Sequence, residues 1–399
     1  MLVRRLLPIT AQWRPLATSA RCRLPQRDQQ KYLQEFRMRS LLEAPIKHYA
    51  DQPLPPFHMS ALCDSSAKLS REYILQNAQS TIDQLLGYTG RQLRRFRRLP
   101  YLVVLNPAIA ESYETYLATL QLLITESVAL PTTAETNQKL VDGALTQIID
   151  LHADALPQLS KGFNEVLALG LMDAPEVRHF LDTHLEDRIK MQLVAQHHVA
   201  LSASLVTNNY TPGSRYNGII TECNAVDLIH KNAEFVNDLI FVKYDAHVNV
   251  DVEVVGSEPV LFPYVEYHLD YILTELFKNS FRSHVENRVK SAVKVTVCAA
   301  GDAVEIRVRD RGQGINPHLI GDIFEYSFST VAAADDTTMA YTASAGDDNL
   351  VAGMGYGLPL SRNYVEVFNN DGDDHINGSL SLQTYPGWGT DAYLKIRNN

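Results

Sequence analysis

Glu275-Leu276-Phe277-Lys278-Asn279-Ser280-Phe281-Arg282 is the stretch that decides how this chain reads. It lies in a run from Leu269 to Arg288 that has no Gly or Pro and carries Leu269, Ile272, Leu273 and Leu276 at helical spacing. Glu275, Asn279 and Arg282 are separated by four and then three residues. A helix therefore sets a carboxylate, an amide and a guanidinium on one face. A carboxylate can accept a proton or align a nucleophile. An amide oxygen is a hard ligand suited to Mg²⁺, which takes few protein groups and keeps waters and phosphate oxygens. A guanidinium pairs with phosphate. Alone, such a stripe is more often a solvated face or a salt-bridge ladder.

Three downstream elements change that reading. Asp310-Arg311-Gly312-Gln313-Gly314 follows a predicted strand directly. A strand-end Asp can receive a donor such as an exocyclic amine, and the glycines let a planar ring approach the backbone. Gly353-Met354-Gly355-Tyr356-Gly357-Leu358-Pro359 is a glycine-rich loop opening a helix, where backbone N–H groups can cradle phosphates. It is neither a Rossmann fingerprint, because no strand precedes it, nor a Walker loop, because no Lys-Ser/Thr follows. Gly387-Trp388-Gly389-Thr390 starts the last predicted strand, where a hydroxyl beside glycines can close a base pocket or simply make a hairpin turn. Thr330–Ala352, polar and lying beside the phosphate loop, has the length and composition of a lid.

Around these elements the pattern divides in two. Residues 38–60 predict a short helix and an irregular connection, and Ser60–Arg98 two helices. The second of these ends in the basic cluster Arg91, Arg94, Arg95, Arg97 and Arg98. Long helices are predicted at 107–129, at 134–169 with a break near Pro157, and at 175–203. In the last of these Val177, Leu181, Leu185, Ile189 and Leu193 draw a core-facing stripe that ends at His197-His198. Such helices on short turns suggest an up-and-down bundle. After the loop Asn208–Gly218 come a helix at 223–242, an alternating strand at 247–255, and the Glu275 helix. Strands follow at 293–299 and 303–309, then helices near 317–326 and 357–368, and final strands at 378–384 and 389–397. Helices alternating with antiparallel strands give an α/β two-layer sandwich.

The chain has 399 residues, 45% apolar and 21% charged, enough for two domains. No run of eighteen apolar residues offers a membrane span. The first 27 residues hold six arginines, no acidic residue, and Leu, Trp and Ile between them, the composition of a mitochondrial transit peptide. Removing them takes the formal net charge from −10 to −16, a poor balance for nucleic-acid binding. Cys22, Cys63, Cys223 and Cys298 form no CxxC and have no His at metal-ligand spacing, so they read as incidental thiols.

The order ExxxN, DxGxG, GxGxG, GT over an α/β sandwich resembles the GHKL ATP-binding fold. Leu269–Asn279, Gly355–Arg362 and Gly389-Thr390-Asp391 resemble, more narrowly, the mitochondrial kinases of 2-oxoacid dehydrogenase complexes. Leu99-Pro100-Tyr101, Asn106-Pro107, Phe180-Leu181-Asp182 and His197-His198 are similar to the helical half of that family, so the resemblance covers about residues 40–397. It implies an α+β chain: a transit peptide (1–27), a helical-bundle regulatory and lipoyl-docking domain (28–218), and a GHKL kinase domain (219–399). It implies a matrix serine kinase that inactivates the E1 alpha subunit of pyruvate dehydrogenase, docks the lipoyl domain of the E2 core, and pairs with itself or a related kinase.

In that reading Glu275 is the base, Asn279 ligates Mg²⁺, and Asp310 receives the adenine amine beside Gly312, Gly314 and Thr390. Gly353, Met354, Gly355, Tyr356, Gly357 and Leu358 hold the phosphates of ATP, with Arg282, Ser329 and Thr330 close by. Many pyruvate dehydrogenase kinases have His four residues before the base. Tyr271 stands there instead, as in the branched-chain kinases, which makes the branched-chain E1 the alternative substrate. The chain also stops at Asn399, without the longer tail those kinases exchange between subunits. Two rival readings are an autophosphorylating histidine kinase, with His197-His198 as acceptor, and an ATP-binding scaffold without catalysis.

Overall fold

A computed structural model describes residues 42–153, 155–256, 259–300, 303–326, 355–369 and 378–397. Residues 46–399 form one compact unit. Its first part is helical: α1 (Glu43–Ala50), α2 (Met59–Ala67), α3 (Tyr73–Arg98), α4 (Tyr101–Val104), α5 (Pro107–Val128), α6 (Ala134–Leu140), α7 (Thr146–Ala153), α8 (Ala155–Ala168) and α9 (Ala174–Val206). α3 packs on α5 and α9, and α5 on α8. The predicted stripe holds, since Val177, Leu181, Leu185, Ile189 and Leu193 are all buried.

Local chemistry sets several helix starts. Asn106 accepts from the Ala108 and Ile109 amides with Pro107 behind it, and Asp173 and Glu176 form a capping box. The predicted 134–169 helix is divided twice: near Pro157, where α7 ends at Ala153 and α8 begins at Ala155, and at an earlier point that carried no proline signal. A π-helical turn at Val141–Leu145, containing Gly143, separates α6 from α7, while Pro157 falls in the first turn of α8, where proline is tolerated.

Residues 207–220 lead into the second part. A five-stranded sheet has the order β2-β4-β5-β7-β6, from β2 (Val250–Val255), β4 (Val293–Ala300), β5 (Ala303–Arg309), β6 (Gly378–Tyr385) and β7 (Gly389–Arg397). β2 pairs parallel with β4, and the other pairings are antiparallel. Val293, Val295, Val297, Val304, Ile306, Val308, Leu394 and Ile396 alternate into the core. Among the described residues, three helices accompany the sheet: α10 (Ala225–Tyr244), α11 (Glu266–Glu286) and α12 (Gly357–Glu366). α11 packs on α10, α12 and β5.

Two short strands, β1 (Thr221–Asn224) and β3 (Leu261–Tyr264), pair with each other and carry too few residues to show a period. The helix expected near 317–326 is a series of i→i+3 turns, because Pro317 and Gly321 interrupt it. No described helix is long and apolar enough to cross a membrane.

Candidate active site

The apolar face of α11 buries Ile272, Leu273, Leu276, Phe277 and Phe281, which locks the helix and fixes where its polar stripe points. Glu275 is 6% exposed. Its Oε1 accepts from Lys278 Nζ at 2.6 Å. Its Oε2 faces Gly357, where an added Cβ would lie 2.2 Å away. The N-terminus of α12 thus opens directly onto the carboxylate. Asn279, one turn on, is exposed. Arg282 is half-exposed, and its Nε donates to Glu286 Oε1 at 2.7 Å along the same helix.

The Asp310 turn is pressed between α11 and the β6–β7 hairpin. Asp310 is 6% exposed. Its amide donates to the Thr390 carbonyl at 3.0 Å, and its Oδ1 accepts from the Gly312 amide at 2.8 Å. Burial pushes the Asp310 carboxyl up, and hydrogen bonds from the Gly312 and Thr390 backbones partly offset that. A Cβ at Gly312 would overlap Ser283 Oγ of α11, so a larger residue there would force that hydroxyl to move. Gly314, at φ +71, has the Tyr385 carbonyl 2.5 Å from where its Cβ would stand. Thr384 Oγ1 accepts from the Ile315 amide at 2.8 Å and lies 3.1 Å from Thr390 Oγ1.

The glycine loop is described from Gly355, at φ +79. Tyr356 is fully buried, and its ring meets that of Tyr326 at 5.4 Å. Asn363 Nδ2 of α12 donates to Tyr326 Oη at 2.7 Å, and Tyr326 also hydrogen-bonds Asp182 of α9. Leu358 follows Gly357 in the first turn of α12, half-buried. Ser329, Thr330, Gly353, Met354 and the expected lid lie outside the described residues.

Both glycine-bearing clusters therefore meet one helix: Gly357 at Glu275 and Gly312 at Ser283. Ser283, His284, Lys278 and Tyr326 escaped the sequence reading. His284 Nε2 accepts from the Arg311 amide at 2.9 Å, so that nitrogen carries no proton, and burial holds its pKa below the ordinary value. Lys278 had a legible signal, three residues from Glu275. Tyr326 had none. Among the described residues no group of His, Cys, Asp and Glu gathers as a multi-ligand metal centre.

His197 and His198 are buried in the helical part. His198 stands 2.7 Å from Asn77 Oδ1 and 3.0 Å from Asn137 Oδ1. His197 Nδ1 accepts from the Ile219 amide at 3.4 Å, so both are packing residues without the exposure a phospho-acceptor needs.

Residues 56–221 match the family model described as mitochondrial branched-chain alpha-ketoacid dehydrogenase kinase. Residues 264–399 match that of the histidine kinase-, DNA gyrase B- and HSP90-like ATPase. The chain is 30% identical over 367 residues to [Pyruvate dehydrogenase (acetyl-transferring)] kinase 1, mitochondrial, of Saccharomyces cerevisiae, covering 91% of this chain and 89% of that one. This chain belongs to the mitochondrial pyruvate dehydrogenase kinase family. The Arabidopsis thaliana kinase of that name is 26% identical over 350 residues, covering 84% of this chain and 88% of its own. Isozyme 4 of Mus musculus is 26% identical over 316 residues, covering 76% and 72%. The two family models divide this kinase as its fold does, one on the helices and the other from Tyr264 through α11 to the last strand. A kinase with an ATPase-type second half uses ATP.

Proposed function

We propose that this chain is a mitochondrial matrix protein-serine kinase that phosphorylates the E1 alpha subunit of pyruvate dehydrogenase from Mg-ATP and so inactivates the complex. One observation carries the reading: the buried Glu275 carboxylate abuts Gly357 at the mouth of the glycine loop, while the Asp310 turn rests on Ser283 of the same helix. Ser283 stands eight residues after Glu275, ~12 Å along the helix axis, which suits a nucleotide lying extended along α11. Asp310 receives the adenine amine, with Gly312, Gly314 and Thr390 around the ring. Gly353–Gly357 and Leu358 hold the phosphates, and Arg282, Ser329 and Thr330 complete the contacts.

Asn279 is exposed beside Glu275 and fits Mg²⁺, an ion that takes few protein ligands. Magnesium, when bound, neutralises phosphate charge. Glu275 orients the substrate serine hydroxyl and takes its proton, and positioning supplies most of the rate. Residues 1–27 direct import, residues 28–218 form the regulatory domain that docks the lipoyl domain of the E2 core, and residues 219–399 form the kinase domain. The kinase works as a dimer with itself or a relative. A second reading, the branched-chain E1 alpha as substrate, is favoured by Tyr271, which is buried and meets the Tyr364 ring edge-on at 5.2 Å.

Incubation with labelled ATP and purified E1 of each complex tests both readings. Serine labelling of pyruvate dehydrogenase E1 is expected, and labelling of the branched-chain E1 alone selects the second reading. Full E1 kinase activity in Glu275→Gln, with normal ATP binding, would show that Glu275 is not the base.

A further inference from the structure

The basic cluster at the end of α3 has no part in phosphoryl transfer. Arg91, Arg94, Arg95 and Arg98 stand at i, i+3, i+4 and i+7, on one face of the helix. They converge with the segment Ala50–Pro53 on a cavity of ≈ 480 Å³. Gly90 makes that wall possible. A Cβ there would stand 2.7 Å from the Ala50 amide nitrogen, so the end of α1 rests directly on the α3 backbone.

Charge in the cavity is out of balance. Asp51 holds Arg94 at 2.6 Å, and the buried Asp187 holds Arg95 at 2.6 Å. Arg91 reaches the Gln52 carbonyl at 3.4 Å, a weak contact. Among the described residues, no carboxylate pairs with Arg91 or Arg98. The excess is positive, in a chain whose formal net charge is −10. Complementing the helix dipole does not account for it, because that effect fades within the last turn and Arg91 and Arg94 precede it.

Guanidinium forks grip phosphate oxygens in pairs, and an anion with several phosphates relieves the repulsion among neighbouring arginines at once. A concave space of this size suits a small molecule rather than the face of an acidic protein. We propose that this cavity binds a small polyanion bearing two or more phosphate groups, at a site separate from the nucleotide site on α11.

Calorimetry of the full chain with inorganic tripolyphosphate, at fixed ionic strength, tests this. The wild type is expected to show a saturable event that Arg91→Gln/Arg98→Gln weakens by roughly tenfold or more, two charge-assisted contacts being lost. Thermal melts confirm that the double variant folds. Arg98→Gln alone, an exposed change, gives a smaller loss of the same sign if the double variant does not. ADP binding to this site more tightly than tripolyphosphate assigns a nucleotide, and equal affinity assigns recognition of the phosphates alone. Identical isotherms for folded wild-type and variant chains overturn the proposal. So does binding of a poly-glutamate peptide without binding of tripolyphosphate.

Discussion

Glu275 and Gly357 meet so closely that a single methyl group at Gly357 would stand 2.2 Å from Glu275 Oε2. Gly357 is the first residue of α12 and has no positive φ, so its backbone accepts alanine and only the carboxylate is displaced. Gly357→Ala is expected to leave the melting temperature within a few degrees of wild type. With Glu275 in its proposed role as base, this should lower kcat by roughly 100-fold, since a displacement of about 1 Å at a catalytic group has that scale. Unchanged kcat would mean that Glu275 has room to move without consequence.

Asp310 fixes its turn by accepting from the Gly312 amide at 2.8 Å. Asp310→Ala leaves that buried amide without its partner, at a cost of about 1–3 kcal/mol. Urea melts are expected to show that loss, and filter binding of labelled ATP to show affinity reduced by tenfold or more. Loss of stability with intact ATP binding would remove Asp310 from the adenine contact.

Acid stability follows from buried histidines. Burial lowers the pKa of His152, His197 and His268 from 6.5 to about 3, and that of His198 to about 4. Between those values the unfolded chain binds the protons and the folded chain does not. Stability is therefore full above the unfolded value and falls as pH drops below it, by about 1.4 kcal/mol per pH unit for each histidine. Urea melts at about pH 7.5 and about pH 5.5 should differ by several kcal/mol. A flat profile would mean that these rings take up protons in the folded state.

Tyr326 ties the glycine loop to the helical part. Its ring lies on Tyr356, and its hydroxyl takes Asn363 Nδ2 at 2.7 Å while also bonding Asp182 of α9. The Arg178–Glu325 ion pair lies beside it. Tyr326→Phe keeps the ring contact and deletes the hydroxyl. Stability is expected to fall by about 1 kcal/mol, and KM for ATP to rise several-fold with kcat less affected. An unchanged KM would show that the loop is positioned without this link.

Much of the fold was legible because its signals are local. The apolar period of α9, the alternation of β2, and the start of α5 at Pro107 each sit within one segment. β1 and β3 were not legible, because four-residue strands become strands only by pairing with each other. The turns at 317–326 went the other way, the apolar pattern there being overruled by Pro317 and Gly321.

The amino-acid order alone determined that Glu275, Asn279 and Arg282 share a helical face, since 3.6 residues per turn leave no other arrangement. It also determined that glycines fall where backbone must approach something closely. Only the tertiary structure decided what they approach: Gly357 the Glu275 carboxylate, Gly312 the Ser283 hydroxyl, and Gly389 the Asp310 carbonyl. It alone decided that Tyr326 would join α9 to the loop, and that Arg282 would turn to Glu286. Periodicity is a property of neighbours along the chain. Contacts between segments a hundred residues apart depend on how helices and sheet pack their apolar faces, and no local window contains that information.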